Sequence, residues 1–424
     1  MASLRGGDED QPGLVEPVPD FDIVPRAGRL RPLRTKDEVR AALETFEAYV
    51  IELPARSANA LKDAVQAAIP DLKTAEFQHL RRVVQFRYLP PHLQQKFKLP
   101  RSNENASEGD DVAEDEDAVR YFLASPTSAI SKADLVATLQ RHPPFVDRQA
   151  PPRIFYVTVP ALAPTSAEQA ESWSQTYWPI AYKNTNPYGP HPSLVSRNTA
   201  EIGGDAGRWL ALAQRAADEL SDMHLGERVG CVIVDNSNGR QEVIAVAGDC
   251  RWRSAEGIPE PKEGPGNVMA HSVQRAIAIV ARKRLRAAGK NPDTLDRKLF
   301  CDSPLTDLES QVYERDNITR NGYLCVDLDM YMTHEPCVMC SMAILHSRFK
   351  RCVFGRRMPH TGGLTADTVT GKVDEKIPLA KGLGHGIFWR PSELNWKLLA
   401  WEWEDDSTTD DEMITTSIPD TLQA

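Results

Sequence analysis

The chain has 424 residues, enough for two or three domains, and its 41% hydrophobic and 26% charged residues are the balance of an ordinary globular protein. Its longest apolar stretches, such as residues 276–281, fall far short of the ~18–20 residues that a membrane span needs, and residues 1–19 carry acids and prolines where a signal peptide has a basic start and an apolar core. The net charge of −10 is concentrated in two places, eight acids within 103–119 and seven within 402–412; without those fifteen the rest of the chain carries +5, so a polyanionic partner stays open. Seven scattered cysteines, an odd number and no leader, point to a reducing intracellular compartment rather than a disulfide scaffold.

Residues 1–40, rich in Pro, Gly, Arg and Asp, have no sustained apolar period and read as a mobile lead-in. Residues 41–160 read as a small α+β domain. Residues 48–53 and 77–88 contain strand-like stretches, and Leu61, Ala64, Val65 and Ala68 repeat at helical spacing. The acidic run 103–119 reads as a solvated, disordered insert. Residues 131–139 then suggest a capped helix and 153–159 a strand. Residues 161–204 read as a Pro- and Ser-rich linker, whose Trp173, Tyr177, Trp178 and Tyr182 are expected to serve packing rather than base stacking.

The second half is more regular. Helices are predicted over 205–223, 267–286 and 336–347, and strands over 229–234, 242–247, 323–332, 351–354 and 394–403, with a turn at Asn238-Gly239 and a polar insertion over 291–322. Residues 404–424 are left as an acidic tail. The order α-β-β-α-β-α-β predicts a sheet with helices on both faces.

The chemistry lies in Pro336-Cys337-Val338-Met339-Cys340, a C-x-x-C at a helix start. The positive end of a helix dipole favours the thiolates that a metal requires, and residues three apart share one helix face. His271, near the start of the preceding helix, adds a third donor of suitable softness, so His271, Cys337 and Cys340 are the candidate zinc ligands. Three protein ligands leave a fourth position, as catalytic zinc sites do, unless another residue or the chain's own tail fills it.

These residues carry a resemblance. H-x-E…P-C-x-x-C is the signature of zinc nucleobase deaminases, with the Glu as proton shuttle. Residues 204–403 resemble that family, and Glu335-Pro336-Cys337-Val338-Met339-Cys340 with Ala343, His346-Ser347-Arg348 and Leu394-Asn395 resembles its tRNA adenosine deaminase branch. The fold so implied is a cytidine deaminase-like three-layer α/β/α sandwich (C-terminal) beside a smaller N-terminal α+β domain. The departure is His271-Ser272-Val273: a valine stands where the family has its catalytic glutamate. It cannot take a proton from an attacking water or give one to the departing ammonia, and such acid–base catalysis is typically worth ~10²–10⁴ in rate. Glu335 adjoins Cys337, but active members also carry a Glu there, so it is read as structural.

With its extra N-terminal domain, the chain is similar to the non-catalytic subunits of heterodimeric tRNA wobble adenosine deaminases. That resemblance implies a zinc ion, a partner subunit with an intact H-x-E motif, tRNA as the shared substrate, no catalytic residue on this chain, no membrane, and residence in nucleus and cytoplasm. The alternatives are an independently active deaminase of free nucleotides, which would not need ~200 further residues, and a purely structural zinc module of another complex. Among basic residues, the run Arg282-Lys283-Arg284-Leu285-Arg286 is read as a helix end complementing its dipole rather than an import patch. Arg348, Lys350, Arg351, Arg356 and Arg357 suit phosphates or a solvated edge equally. Arg81, Arg82, Arg87, Lys96, Lys98 and Arg101 make the N-terminal domain locally basic.

Overall fold

The computed structural model describes residues 21–98, 119–146, 151–237, 241–254, 256–294, 301–318, 322–366, 383–389, 394–406 and 418–424. The turn expected at Asn238-Gly239 and nearly all of the acidic insert lie outside them. The chain divides into two compact units, residues 34–198 and residues 1–33 with 199–424. It is α/β, with a mixed six-stranded sheet in the C-terminal unit and a separate four-stranded antiparallel sheet in the N-terminal one. No helix among the described residues is long and apolar enough to cross a membrane.

Strand β1 (Gly28–Pro32) belongs to the C-terminal unit. The N-terminal unit then runs through α1 (Lys36–Leu43), β2 (Thr45–Pro54), α2 (Ala58–Ala68), β3 (Val83–Gln85), α3 (Pro91–Phe97), β4 (Val119–Pro126), α4 (Lys132–Leu139), β5 (Ile154–Pro160) and α5 (Ala167–Thr176). Its strands lie in the order β3-β4-β2-β5, and the strand period splits its core in two. Val50, Tyr121, Leu123 and Val157 join one cluster, and Tyr49, Ile51, Phe122 and Ala124 the other. Helix α1 opens on a capping box: the Thr35 hydroxyl accepts from Glu38 N while the Glu38 carboxylate accepts from Thr35 N.

Helix α6 (Pro192–Gly203) leads to α7 (Ala206–Asp222), β6 (Gly230–Asp235), β7 (Glu242–Gly248), α8 (Ser272–Ala287), α9 (Asp307–Tyr313), β8 (Asp329–His334), α10 (Val338–His346), β9 (Arg351–Arg356) and β10 (Leu399–Asp405). The strand order is β1-β10-β9-β8-β6-β7, with β8, β9 and β10 parallel and the other pairings antiparallel. Helices α8 and α10 pack on one face, over Cys231, Ile233, Ala245, Met330 and Phe354. Helix α7 covers the other, where it comes so near that a Cβ on Gly230 would lie 2.1 Å from Ala213 O.

Several expectations change. The lead-in contributes β1, whose Arg29 and Arg31 pair across the sheet edge with Glu404 and Glu402, while Arg26 just before it pairs with Asp405. Those three acids therefore belong to a strand, not to a solvated run. The linker folds: α5 lies inside it, and Trp173 and Trp178 are buried in the N-terminal core. Strand β4 begins where the insert was read to end, and its five buried residues make it a central strand without alternation. The polar insertion contains α9, which holds Glu309 against Arg275. Helix α8 starts at Ser272 rather than 267, because Asn267 caps a short 3-10 turn first. Strand β8 starts at Asp329, and β10 runs from 399 to 405.

Candidate metal centre

His271 is the N-cap of α8 and Cys337 the N-cap of α10, with Cys340 in the first turn of α10. Pro336 thus stands one residue before the cap. Packing of α8 beside α10 over the sheet brings the two helix starts together. The Sγ atoms of Cys340 and Cys337 lie 3.5 and 3.8 Å from His271 Nδ1. The donor atoms of these three residues all lie within 4.8 Å of one another, and this is the one such group of metal-ligating side chains among the described residues.

All three side chains are buried. The hydrogen bond with Cys340 and the nearby His271 push the Cys337 thiol down to about 4, against its burial, while Cys340 rises in step. Two soft sulfurs and an imidazole fit a zinc site of the kind typical of deaminases. The remaining five cysteines are buried and unbridged, as small hydrophobes would be.

Of the two positions beside these donors where a catalytic carboxylate would be sought, one is apolar and the other is engaged in the fold. Val273 is 2% exposed and belongs to the core cluster between α8 and the sheet. Glu335 is fully buried, and its carboxylate accepts hydrogen bonds from Met358 N, Leu364 N, Thr365 N and the Thr365 hydroxyl. Three of those donors meet Oε1 and one meets Oε2, so Glu335 shapes the loop 358–365. Burial raises its pKa. Arg275, also buried, donates to both oxygens of Glu309 and to the carbonyls of Gly248, Cys301 and Ser303, which ties α8 to β7 and α9.

Residues 404–424 were read as an acidic tail that could reach the zinc site, and residues 418–424 do pack at the metal centre. Cys337 N donates to Ala424 O at 2.8 Å, Arg251 Nη2 to Gln423 O at 2.6 Å, and the Thr361 hydroxyl to Leu422 O. Arg251 is held in turn by the buried Asp249. Only the tail's short apolar end, Ile418 to Ala424, signals such packing in the sequence.

The basic residues divide. Lys283 is buried and donates to Ile244 O, Val312 O and Asn317 Oδ1, while Arg282 and Arg286 pair with Asp293, Asp302 and Asp316; the run is structural. Arg351 is buried on Asp329 and Glu201, Arg357 on Glu402, Lys350 pairs with Glu201 and Arg356 with Asp420, while Arg348 sits over Trp396. In the N-terminal unit Arg87 and Lys98 lie over Tyr88 and Phe86, and Lys96 donates to Tyr156 O; Arg101 lies outside the described residues.

Residues 205–356 match the family model described as the cytidine and deoxycytidylate deaminase zinc-binding region. These residues of the C-terminal unit are similar to that deaminase family. The chain is similar to the tRNA-specific adenosine deaminase subunit tad3 of Schizosaccharomyces pombe, with 27% identity over 58% of this chain and 59% of that one. It is also similar to subunit TAD3 of Saccharomyces cerevisiae, with 31% identity over 49% and 51% of the two chains. A human relative named "Probable inactive tRNA-specific adenosine deaminase-like protein 3" is 28% identical over 56% and 62%. The chain thus spans about half to three fifths of the length of the curated relatives it matches. Against the H-x-E…P-C-x-x-C motif the departure is the single residue Val273.

Proposed function

We propose that the chain is the non-catalytic subunit of a heterodimeric tRNA-specific adenosine deaminase that converts adenosine to inosine at the wobble position of the anticodon. The observation that carries this reading is the assembled His271, Cys337 and Cys340 beside a buried Val273. The site keeps its metal-ligating set and lacks the group that would move protons. Zinc held by these three residues would join the starts of α8 and α10, and in active relatives the same ion supplies Lewis-acid chemistry. Here its contribution is to the fold: His271 and the two cysteines fix two helix N-termini against one sheet. The similarity to TAD3 subunits supports the same reading.

The partner supplies the intact H-x-E motif, and the N-terminal unit contributes to tRNA binding, in nucleus and cytoplasm. Purification from native extract tests this. A second deaminase-like chain with H-x-E should co-purify in equal amount, and the pair should form inosine in tRNA. Recovery of the chain without such a partner contradicts the proposal.

A further inference from the structure

The N-terminal unit contains a cavity of about 370 Å³ that the metal centre does not explain. Its walls are three stretches of chain: residues 75–79, residues 161–164 after β5, and residues 181–188. They are fixed from several sides. His79 Nε2 donates to Pro160 O, and Ala181 N donates to His79 O. The Tyr188 hydroxyl accepts from Ala163 N while the Tyr188 carbonyl accepts from the Thr35 hydroxyl. His191 Nε2 donates to Asn184 O, and Asn184 itself is left-handed at φ 53°. The loop that carries Tyr182 and Lys183 is therefore held in shape before any ligand arrives, which lowers the cost of binding.

The chemistry of the lining is selective. Half-buried Tyr182 and Tyr188 offer rings, Leu162 and Pro164 an apolar floor, and Gln78 and Thr185 polar edges. Lys183 stands exposed at the rim. Tyr182 keeps its proton, since burial and the charge of Glu168 raise its pKa. A flat, uncharged ring with hydrogen-bonding edges and an anionic group attached fits these features, and the volume is in the range of small-ligand sites.

We infer that this cavity takes one unpaired nucleotide of a bound RNA, with its base against Tyr182 and its phosphate at Lys183. This rests on the proposed role in tRNA binding and names a contact point for it. Trp173 and Trp178 are buried in the core, and Tyr182 packs against that core, as the sequence suggests, while also lining the cavity.

The experiment uses the chain purified with its native partner and two probes, a tRNA transcript containing 4-thiouridine and uridine 5′-monophosphate. Cross-links are expected in the peptide that holds residues 181–188. Lys183→Glu, on the surface, and Tyr182→Leu should each weaken tRNA binding about tenfold, as the loss of a stacked base or a phosphate contact does. Zinc content and circular dichroism should not change. If Tyr182→Leu misfolds, Lys183→Glu and the cross-link map decide. Unaltered tRNA affinity in Lys183→Glu, with cross-links elsewhere, overturns the inference and leaves the broader function standing. Binding of the mononucleotide without any effect of the variants on tRNA assigns the cavity to a free nucleotide and also overturns it. Failure of the intact complex to bind tRNA overturns both.

Discussion

The metal centre and the N-terminal cavity are built in opposite ways. The first is buried, its donors sit at the starts of two helices on a six-stranded sheet, and charged side chains around it are spent on the protein itself: Glu335 on a loop, Arg275 on Glu309, Arg251 on Asp249. The second is open, is walled by loops, and carries Lys183 at its rim. A buried site without a proton carrier suits a structural ion, and an open one with rings and a cation suits recognition. A chain can thus keep the scaffold of a catalytic family while its capacity to meet a ligand lies in another unit.

The contrast is broken most severely at Cys337. Cys337→Ala should take the metal content from about one zinc per chain to near none and impair pairing with the partner, while amide exchange in β2 and β4 stays as slow as before; metal analysis and hydrogen exchange check both halves. Next come two core variants, one in each unit. Arg275→Met leaves the Glu309 carboxylate buried without its cation and should cost about 3–5 kcal/mol. Trp178→Ala empties part of the N-terminal core at a cost of about 3–5 kcal/mol but should leave zinc bound. Denaturation monitored peptide by peptide distinguishes the two, and loss of zinc in the Trp178 variant would dissolve the distinction between the units.

The smallest effect is a pH dependence. Burial, with the charges of Arg356 and Arg26, pushes His334 down to about 4. An unfolded histidine titrates near its ordinary value of about 6.5, so between the two values the unfolded chain binds the extra proton. This contribution is complete above pH 6.5 and is lost as the pH falls toward 4, at about 1.4 kcal/mol per unit at most. His334→Gln should flatten that slope in the C-terminal unit alone, as read from denaturation midpoints at several pH values.

The same contrast governs what the sequence reveals. His271 and Cys337-x-x-Cys340 were legible because a metal demands donor types at helix-compatible spacing, and the valine was legible as a gap in a motif. The continuous apolar runs of β6 and β7 and the apolar stripe of α7 were legible in the sequence. Strand β1 was not, since its partner lies near 403 in the sequence and its charges are balanced only across the sheet. Nor was the packing of Gln423 and Ala424 at the centre, because their contacts are made by backbone carbonyls. The cavity was hidden for a similar reason: its walls come from three loops, and loop geometry leaves no repeat to read.

The central claim is that this chain holds the metal and cannot do the chemistry. The most direct measurement is inosine formation in tRNA by the isolated chain, zinc-loaded and shown by mass spectrometry to be free of any partner. No inosine is expected from the wild type, and equally none from Val273→Glu, since Val273 is buried in the core cluster and one added carboxylate does not by itself build a shaped site. Inosine produced by the isolated wild-type chain and lost in Cys337→Ala would contradict the claim.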